Sequence, residues 1–272
     1  FMSIRAKQLI ETFPEVDPKN IIMGSRKDMI DVDILFDDAA HNILTTSAAY
    51  PVIMRQPWNS HLTGMLGVNN YDEFLHLMEV IQNSYSYGPV YKNEPSVIAM
   101  VGPSGSGKTA IVNELLKRDE FQRVTTCTTR AKREGESDNA YHFMTKEEFM
   151  KEKEAGKFFE TSVYAEEFYG TKMEEITSIL ESGKHAIMPI DMSGAIAMKL
   201  HFPNCITFFV KRDKKSLLEQ VIARTCPDTD KVNRIISIDS EQKNEELCDV
   251  TIDNTGSLEN SINQVLKAVE LI

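Results

Sequence analysis

Eight residues constrain this chain more than any others: Gly102-Pro103-Ser104-Gly105-Ser106-Gly107-Lys108-Thr109. They fit GxxxxGK[ST] at every fixed position. They lie between a continuous apolar run, Val97–Val101, and a stretch with helical spacing, Ala110–Arg118. Strand, glycine loop and helix in that order is the context expected of a phosphate-binding loop. The glycines allow successive backbone N–H groups to turn inward around phosphate oxygens. The helix that starts here adds the positive end of its dipole. Lys108 then supplies a point charge to β- and γ-phosphates, and Thr109 offers a hydroxyl to Mg²⁺. The eight residues are therefore the expected ATP site, with Thr109 the expected metal ligand.

The segments that follow alternate as an α/β sheet with covering helices requires. Strands are expected at Val97–Val101, His185–Ile190, Ile206–Val210 and Val250–Asp253. Helices are expected at Lys214–Ala223, Asp230–Glu246 and Ser257–Leu271. Thr145 and Glu148 form a capping box ahead of another helix, and Thr171 with Glu174 reads as a second box whose helix stops at Gly183. Before the loop, the pattern predicts a helix over Ile4–Phe13, strands near Ile21–Met23, Asp33–Phe36 and Val52–Met54, and a helix from Tyr71 to about Gln82. Ser84–Pro95 mixes Ser, Gly, Pro and polar residues between two apolar patterns, which divides the chain into a segment 1–84, a linker 85–95 and a larger domain 96–272.

Composition excludes several classes. The chain has 272 residues, 42% apolar, with 30 basic and 41 acidic side chains and a net charge of −11. Non-specific nucleic-acid affinity comes from a basic footprint, so nucleic acid is not an expected partner. No apolar run reaches the roughly 18–20 residues of a membrane span. The first residues lack a basic flank, apolar stretch and cleavage site, so no secretory signal is expected. Cys127, Cys205, Cys226 and Cys248 include no CxxC pair and read as free thiols in a reducing, cytoplasmic setting. A homodimer stays open as an assembly.

Downstream of the loop, Thr126-Cys-Thr-Thr-Arg130-Ala-Lys-Arg133-Glu-Gly-Glu and then Tyr141-His-Phe place two arginines and a phenol close together. Arginine forks bind phosphate bidentately and a phenol donates to a further oxygen, which makes this a candidate second phosphate site. GPSGSGKT, TTCTTRAKREGE, YHF, FFE, FYGT, IDMSG and a late arginine-bearing helical region follow one another from Ser96 to Ile272. In that order they resemble the guanylate kinases, which move the γ-phosphoryl of ATP onto GMP.

The resemblance implies a P-loop nucleoside-monophosphate kinase core: a parallel sheet with flanking helices, an acceptor-binding subdomain inserted at about 125–186 and a mobile lid near 212–235. It implies that Arg130, Arg133, Tyr141 and Tyr169 hold the GMP phosphate and that Glu160 accepts from guanine N1–H and the 2-amino group. Thr126 and Thr171 complete the base contacts, and Asp191 lies beside the base and the metal–phosphate region. Arg224 and Arg234 are the lid arginines; with Lys108, Arg130 and Asp191 they form the implied catalytic set. The chain departs from the family pattern at Pro189, where an acidic residue is usual, at Ser193, where a glutamine follows the strand, and at Gln220, a lid arginine position. Acceptors other than GMP, such as dGMP or a ribose bisphosphate, therefore stay open. A non-catalytic interaction module is the reading from another class; the intact Gly107-Lys108-Thr109 argues against it.

The first segment carries Ser25-Arg26-Lys27, then Asp33-Ile-Leu-Phe-Asp37-Asp38, Gln56-Pro-Trp58-Asn59 and Val68-Asn-Asn-Tyr-Asp-Glu-Phe. Over about residues 5–83 it resembles the later half of a haloacid-dehalogenase-type 5′(3′)-nucleotidase, in which a lysine and an acidic pair hold phosphoryl and Mg²⁺. Such phosphatases need an aspartate nucleophile in DxDx[TV]. Asp31-Val-Asp33-Ile-Leu35 ends in leucine and overlaps the strand of the later acidic pair. The segment is thus expected to be an incomplete α/β appendage packed on the larger domain.

Overall fold

The computed structural model describes residues 2–21, 24, 26–60, 62, 65–83, 94–132, 141–164 and 167–270. The first segment begins with α1 (Met2–Thr12), β1 (Ile34–Asp37) and α2 (Ala40–Thr45), and continues with β2 (Tyr50–Met54), β3 (Gly67–Val68) and α3 (Tyr71–Asn83). Its three strands pair in parallel in the order β1-β2-β3. Most of the expected linker, and Ile22 and Met23 of an expected strand, lie outside the described residues; Ile21 is not in a strand.

The larger part opens with β4 (Val97–Val101), α4 (Lys108–Leu115) and β5 (Phe121–Arg123). Next come β6 (Cys127–Thr128), β7 (His142–Phe143), α5 (Lys146–Glu154), β8 (Phe158–Tyr164), β9 (Glu167–Lys172) and α6 (Met173–Glu181). It closes with β10 (His185–Pro189), α7 (Met192–His201), β11 (Cys205–Lys211), α8 (Lys214–Ile222), α9 (Asp228–Lys243), β12 (Val250–Asp253) and α10 (Leu258–Ala268). Five of these strands form a parallel sheet in the order β12-β11-β4-β10-β5. Every residue of β4 is buried, as a central strand covered by helices on both faces must be. Between β5 and β10, which pair directly, the chain leaves to build a second sheet, β7-β6-β9-β8. That excursion is the stretch expected to carry the acceptor.

The Thr145 box forms in full: the Glu148 N–H donates to Thr145 Oγ1 at 3.1 Å and the Thr145 N–H to Glu148 Oε2 at 2.8 Å. The box expected at Thr171 does not form. Thr171 lies inside β9, buried, and α6 starts at Met173 after Lys172, with no side-chain cap. Pairing of Thr171 with Glu160 across β8–β9 takes the hydroxyl that the cap would have used.

The hydrophobic core is continuous across the two parts. Val52, Leu66, Val68 and Leu77 of the first segment cluster with Val97, Ala99 and Val101 of β4 and with Met192, Ala195 and Ile196 of α7. A second cluster on the other face of the large sheet joins β4 and β11 to α4 and α10. Among the described residues no helix is long and apolar enough to cross a membrane, and all four cysteines are free thiols.

Candidate active site

The phosphate loop leaves β4 with a backbone that only glycine tolerates. Gly102 has φ +140°, and a Cβ there would lie 2.7 Å from the Val210 carbonyl oxygen of β11. Gly107, at φ +100°, caps α4 from the left-handed region. Asn254 braces the loop by donating to the Ser106 carbonyl at 2.7 Å. The Lys108 ammonium folds back, donating to the Gly102 carbonyl and, at 2.9 Å, to that of Pro103. Ser106 Oγ is buried without a hydrogen-bond partner, while Thr109 is exposed.

A cleft of about 530 Å³ opens over this loop. Arg212, Gln220, Arg224, Arg234 and Glu241 line it from the end of β11 through α8 to α9, and Pro189 and Asp191 line it from the end of β10. Arg234 donates to Ser104 Oγ at 2.8 Å, so one of the two arginines expected in a lid touches the loop. Burial pushes Lys108 down to about 8, against the pull of the Glu241 and Asp191 carboxylates and with a push from Arg224 and Arg234. Burial likewise pushes Glu241 up to about 7, opposed by the Ser237 hydroxyl that donates to it at 2.6 Å and by Lys108. Glu241 and Arg212 escaped the sequence reading. The signal was present: Glu241 follows Arg234 by seven residues, two helical turns, and so shares its face of α9.

The second sheet assembles the other candidates. Glu160 on β8 stands opposite Thr171 on β9, whose hydroxyl donates to Glu160 Oε1 at 2.9 Å. Tyr169, two residues before Thr171, shares its face of the strand. Tyr169 meets Tyr141 edge-on at 6.1 Å between ring centroids, and the Arg130 guanidinium lies over Tyr141 at 5.4 Å. Arg130, Tyr141 and Tyr169 are therefore one group. Thr126 is half-buried on the approach to β6, its carbonyl accepting from the His142 N–H at 3.0 Å. Arg133 lies outside the described residues.

Asp191 stands between the two halves. It is the N-cap of α7, accepting from the Gly194 N–H at 2.8 Å, and is exposed toward the cleft. Burial raises Glu160 to about 7, and the Asp191 charge adds to this, with a smaller push from Glu73 of α3; the Thr171 hydrogen bond works the other way. One carboxylate thus acts on Lys108 and Glu241 on the phosphate side and on Glu160 on the sheet side.

Residues 94–271 match the family model described as guanylate kinase. The chain belongs to the guanylate kinase family. Among curated relatives, the guanylate kinase of Chlamydia felis is 37% identical over 129 residues, covering 46% of this chain and 63% of the relative. That of Thermotoga maritima is 39% identical over 116 residues, covering 42% and 56%, and that of Paraburkholderia xenovorans 33% over 170 residues, covering 61% and 74%. The matches span 63% and 56% of the length of the first two of these. The crystal structure of guanylate kinase from Anaplasma phagocytophilum superposes with a TM-score of 0.50 at 18% identity, covering 67% of this chain and 88% of that one, a likeness of fold. Residues 4–84 match the family model described as 5′ nucleotidase, deoxy (Pyrimidine), cytosolic type C protein.

In that first segment Asp37 is buried and its carboxylate is engaged on every side. It accepts from Lys27 Nζ at 2.5 Å, the Ala39 N–H at 2.8 Å and Asn42 Nδ2 at 3.1 Å. Burial alone would raise its pKa; the Lys27 hydrogen bond and charge, with Ala39 and Asn42, hold it below the ordinary value. Asp31, Asp33 and Asp38 are exposed.

Proposed function

We propose that the chain transfers the γ-phosphoryl group of ATP to GMP or dGMP, directly and in line, without a covalent enzyme intermediate. The observation that supports this reading is Asp191, which lines the cleft over the phosphate loop and whose charge also acts on Glu160, so that it links the proposed donor site to the proposed acceptor site. The proposed acceptor-binding unit is residues 125–186 and the proposed lid is 212–235.

The loop suits a triphosphate. Its glycines leave room against β11, Ser106 Oγ is an orphaned hydroxyl, and the Lys108 ammonium rests on carbonyls that it can exchange for phosphate oxygens. Thr109, on the first turn of α4, would hold Mg²⁺ through its hydroxyl, and the ion would supply positive charge against the triphosphate. Gly102 to Thr109 would cradle the phosphates, with Arg224 and Arg234 closing on the transferring group where charge develops. Arg130, Arg133, Tyr141 and Tyr169 would hold the acceptor phosphate. Glu160, steadied by Thr171, would accept from guanine N1–H and the 2-amino group, with Thr126 beside it. Adenine presents no such pair of donors, so it would strand a buried carboxylate.

The partners proposed are these nucleotides, in a cytoplasmic setting, with a homodimer left open. The direct test is product analysis: ATP and GMP incubated with the protein and Mg²⁺ should give ADP and GDP in equal amounts. ADP formed without GDP would overturn the transfer.

A further inference from the structure

We propose that the nucleotidase-like segment forms part of the acceptor site, with Arg55 acting as a positioning residue for Asp191; this rests on the reading of Asp191 just given. Arg55 directly follows β2. Its N–H donates to the Val68 carbonyl at 2.8 Å, and its guanidinium donates to the carbonyls of Leu62 at 2.5 Å and Met65 at 2.7 Å. The side chain passes so closely over Gly67 that a Cβ there would lie 2.5 Å from Arg55 Nε. Three backbone contacts and this close approach fix where the charge sits.

Gly67 in turn docks on the kinase part, its N–H donating to Ser193 Oγ at 3.0 Å. Ser193 is two residues after Asp191, on the first turn of α7, and is the position at which the chain departs from the family's glutamine. A short serine accepts from an incoming backbone N–H, and the residues around it are braced by packing of Leu66, Val68 and Leu77 against Met192, Ala195 and Ile196.

The charges fit the same arrangement. The Asp191 charge acts on carboxylates of two elements, Glu160 on β8 and Glu241 on α9, and on cations at Lys108 on α4 and at Arg55. Lys108 is committed to the phosphate loop. Arg55 is a cation on the segment side, and the Asp191 charge opposes the burial that lowers its pKa. The segment has thus kept a structural hold on the site that reads the acceptor.

The test compares Arg55→Gln, Arg55→Lys and Ser193→Ala in the full chain. Arg55→Gln should raise KM for GMP about tenfold while kcat and KM for ATP stay within about twofold, because an acceptor-side interaction is lost. Arg55→Lys, which keeps the charge, should recover most of it. Ser193→Ala, a mild change that keeps the fold, should raise KM for GMP in the same direction by about threefold. A second readout needs no turnover: amide exchange at Gly194, whose N–H bonds Asp191, should quicken about tenfold in Arg55→Gln. A wild-type chain that makes no GDP refutes the kinase reading and leaves the exchange experiment to decide this one. Unchanged GMP KM in Ser193→Ala and Arg55→Gln, or Gly194 exchange equal to wild type, would overturn the role of Arg55. Equal losses in the glutamine and lysine variants would reduce it to packing.

Discussion

Replacing Glu160 with glutamine should make the free protein more stable at pH 8 while removing its preference for guanine. Burial and the Asp191 charge raise the Glu160 carboxyl from its ordinary 4.5 to about 7. A raised carboxyl favours folding when protonated. Its contribution is fully present below about pH 4.5 and is lost as the pH rises through 7. At 1.36 kcal/mol per unit, the ionised form at pH 8 costs about 3 kcal/mol relative to the protonated one. Glutamine keeps the Oε1 acceptor for the Thr171 hydroxyl and carries no charge, so it avoids that cost. Urea unfolding at pH 5 and pH 8 measures it. The variant should match wild type within about 1 kcal/mol at pH 5 and exceed it by about 2–3 kcal/mol at pH 8. Binding of GMP to wild type should strengthen as pH rises from 5.5 to 7.5, because the ionised carboxylate is the form that accepts two donors. A variant equally or less stable at pH 8 would mean that Glu160 is not a strained carboxylate.

The remaining predictions concern the other parts of the site. Lys108→Ala should reduce turnover by about 10³-fold or more with thermal stability unchanged or raised, since a buried ammonium is removed with the function; near-normal turnover in a coupled ADP assay would refute the phosphate loop. Arg234→Ala should lower kcat by about 10³-fold with little change in KM for GMP, through loss of the lid charge and the Ser104 contact. Residues 95–272 expressed alone should unfold at lower temperature, because removing Leu66, Val68 and Leu77 uncovers apolar surface worth about 1.5–3 kcal/mol per side chain. The full chain with Mg²⁺ should release no phosphate from nucleoside monophosphates, and phosphatase activity abolished by Asp37→Asn would contradict this.

The phosphate loop was legible because its chemistry is backbone chemistry: Gly102 and Gly107 stand at positive φ, where other residues are strained. Four strands of the large sheet, β4, β10, β11 and β12, were legible because strands covered by helices carry apolar runs; β5, three residues of which only Phe121 is buried, was not. Short elements were not. β3 has two residues and α2 has six with no side-chain cap, too few for any period to register. Thr171–Glu174 misled because a capping-box spacing says nothing about a strand partner, and Glu160 claimed the hydroxyl. Glu241 and Arg55 went unread for a related reason: each acquires its role from an element far away in sequence. That the first segment packs on the larger domain was expected, but which side chains do so was not legible, since Leu66, Val68 and Leu77 read the same whether they cover their own sheet or α7. The sequence division at 85–95 therefore marks a change of ancestry in the chain more than a break in its core.

Everything proposed for the site turns on Glu160 reading guanine in the cleft where Lys108 holds the triphosphate. Initial rates of ATP consumption with GMP, dGMP, AMP, CMP, UMP and a ribose bisphosphate, on wild type and Glu160→Gln side by side, test it most directly. Wild type should prefer GMP or dGMP by a factor of about 10⁴ over the other acceptors, as sites that pair buried polar groups can, and the variant should lose most of that factor. Equal wild-type rates with GMP and AMP, or a preference untouched by the substitution, would contradict it.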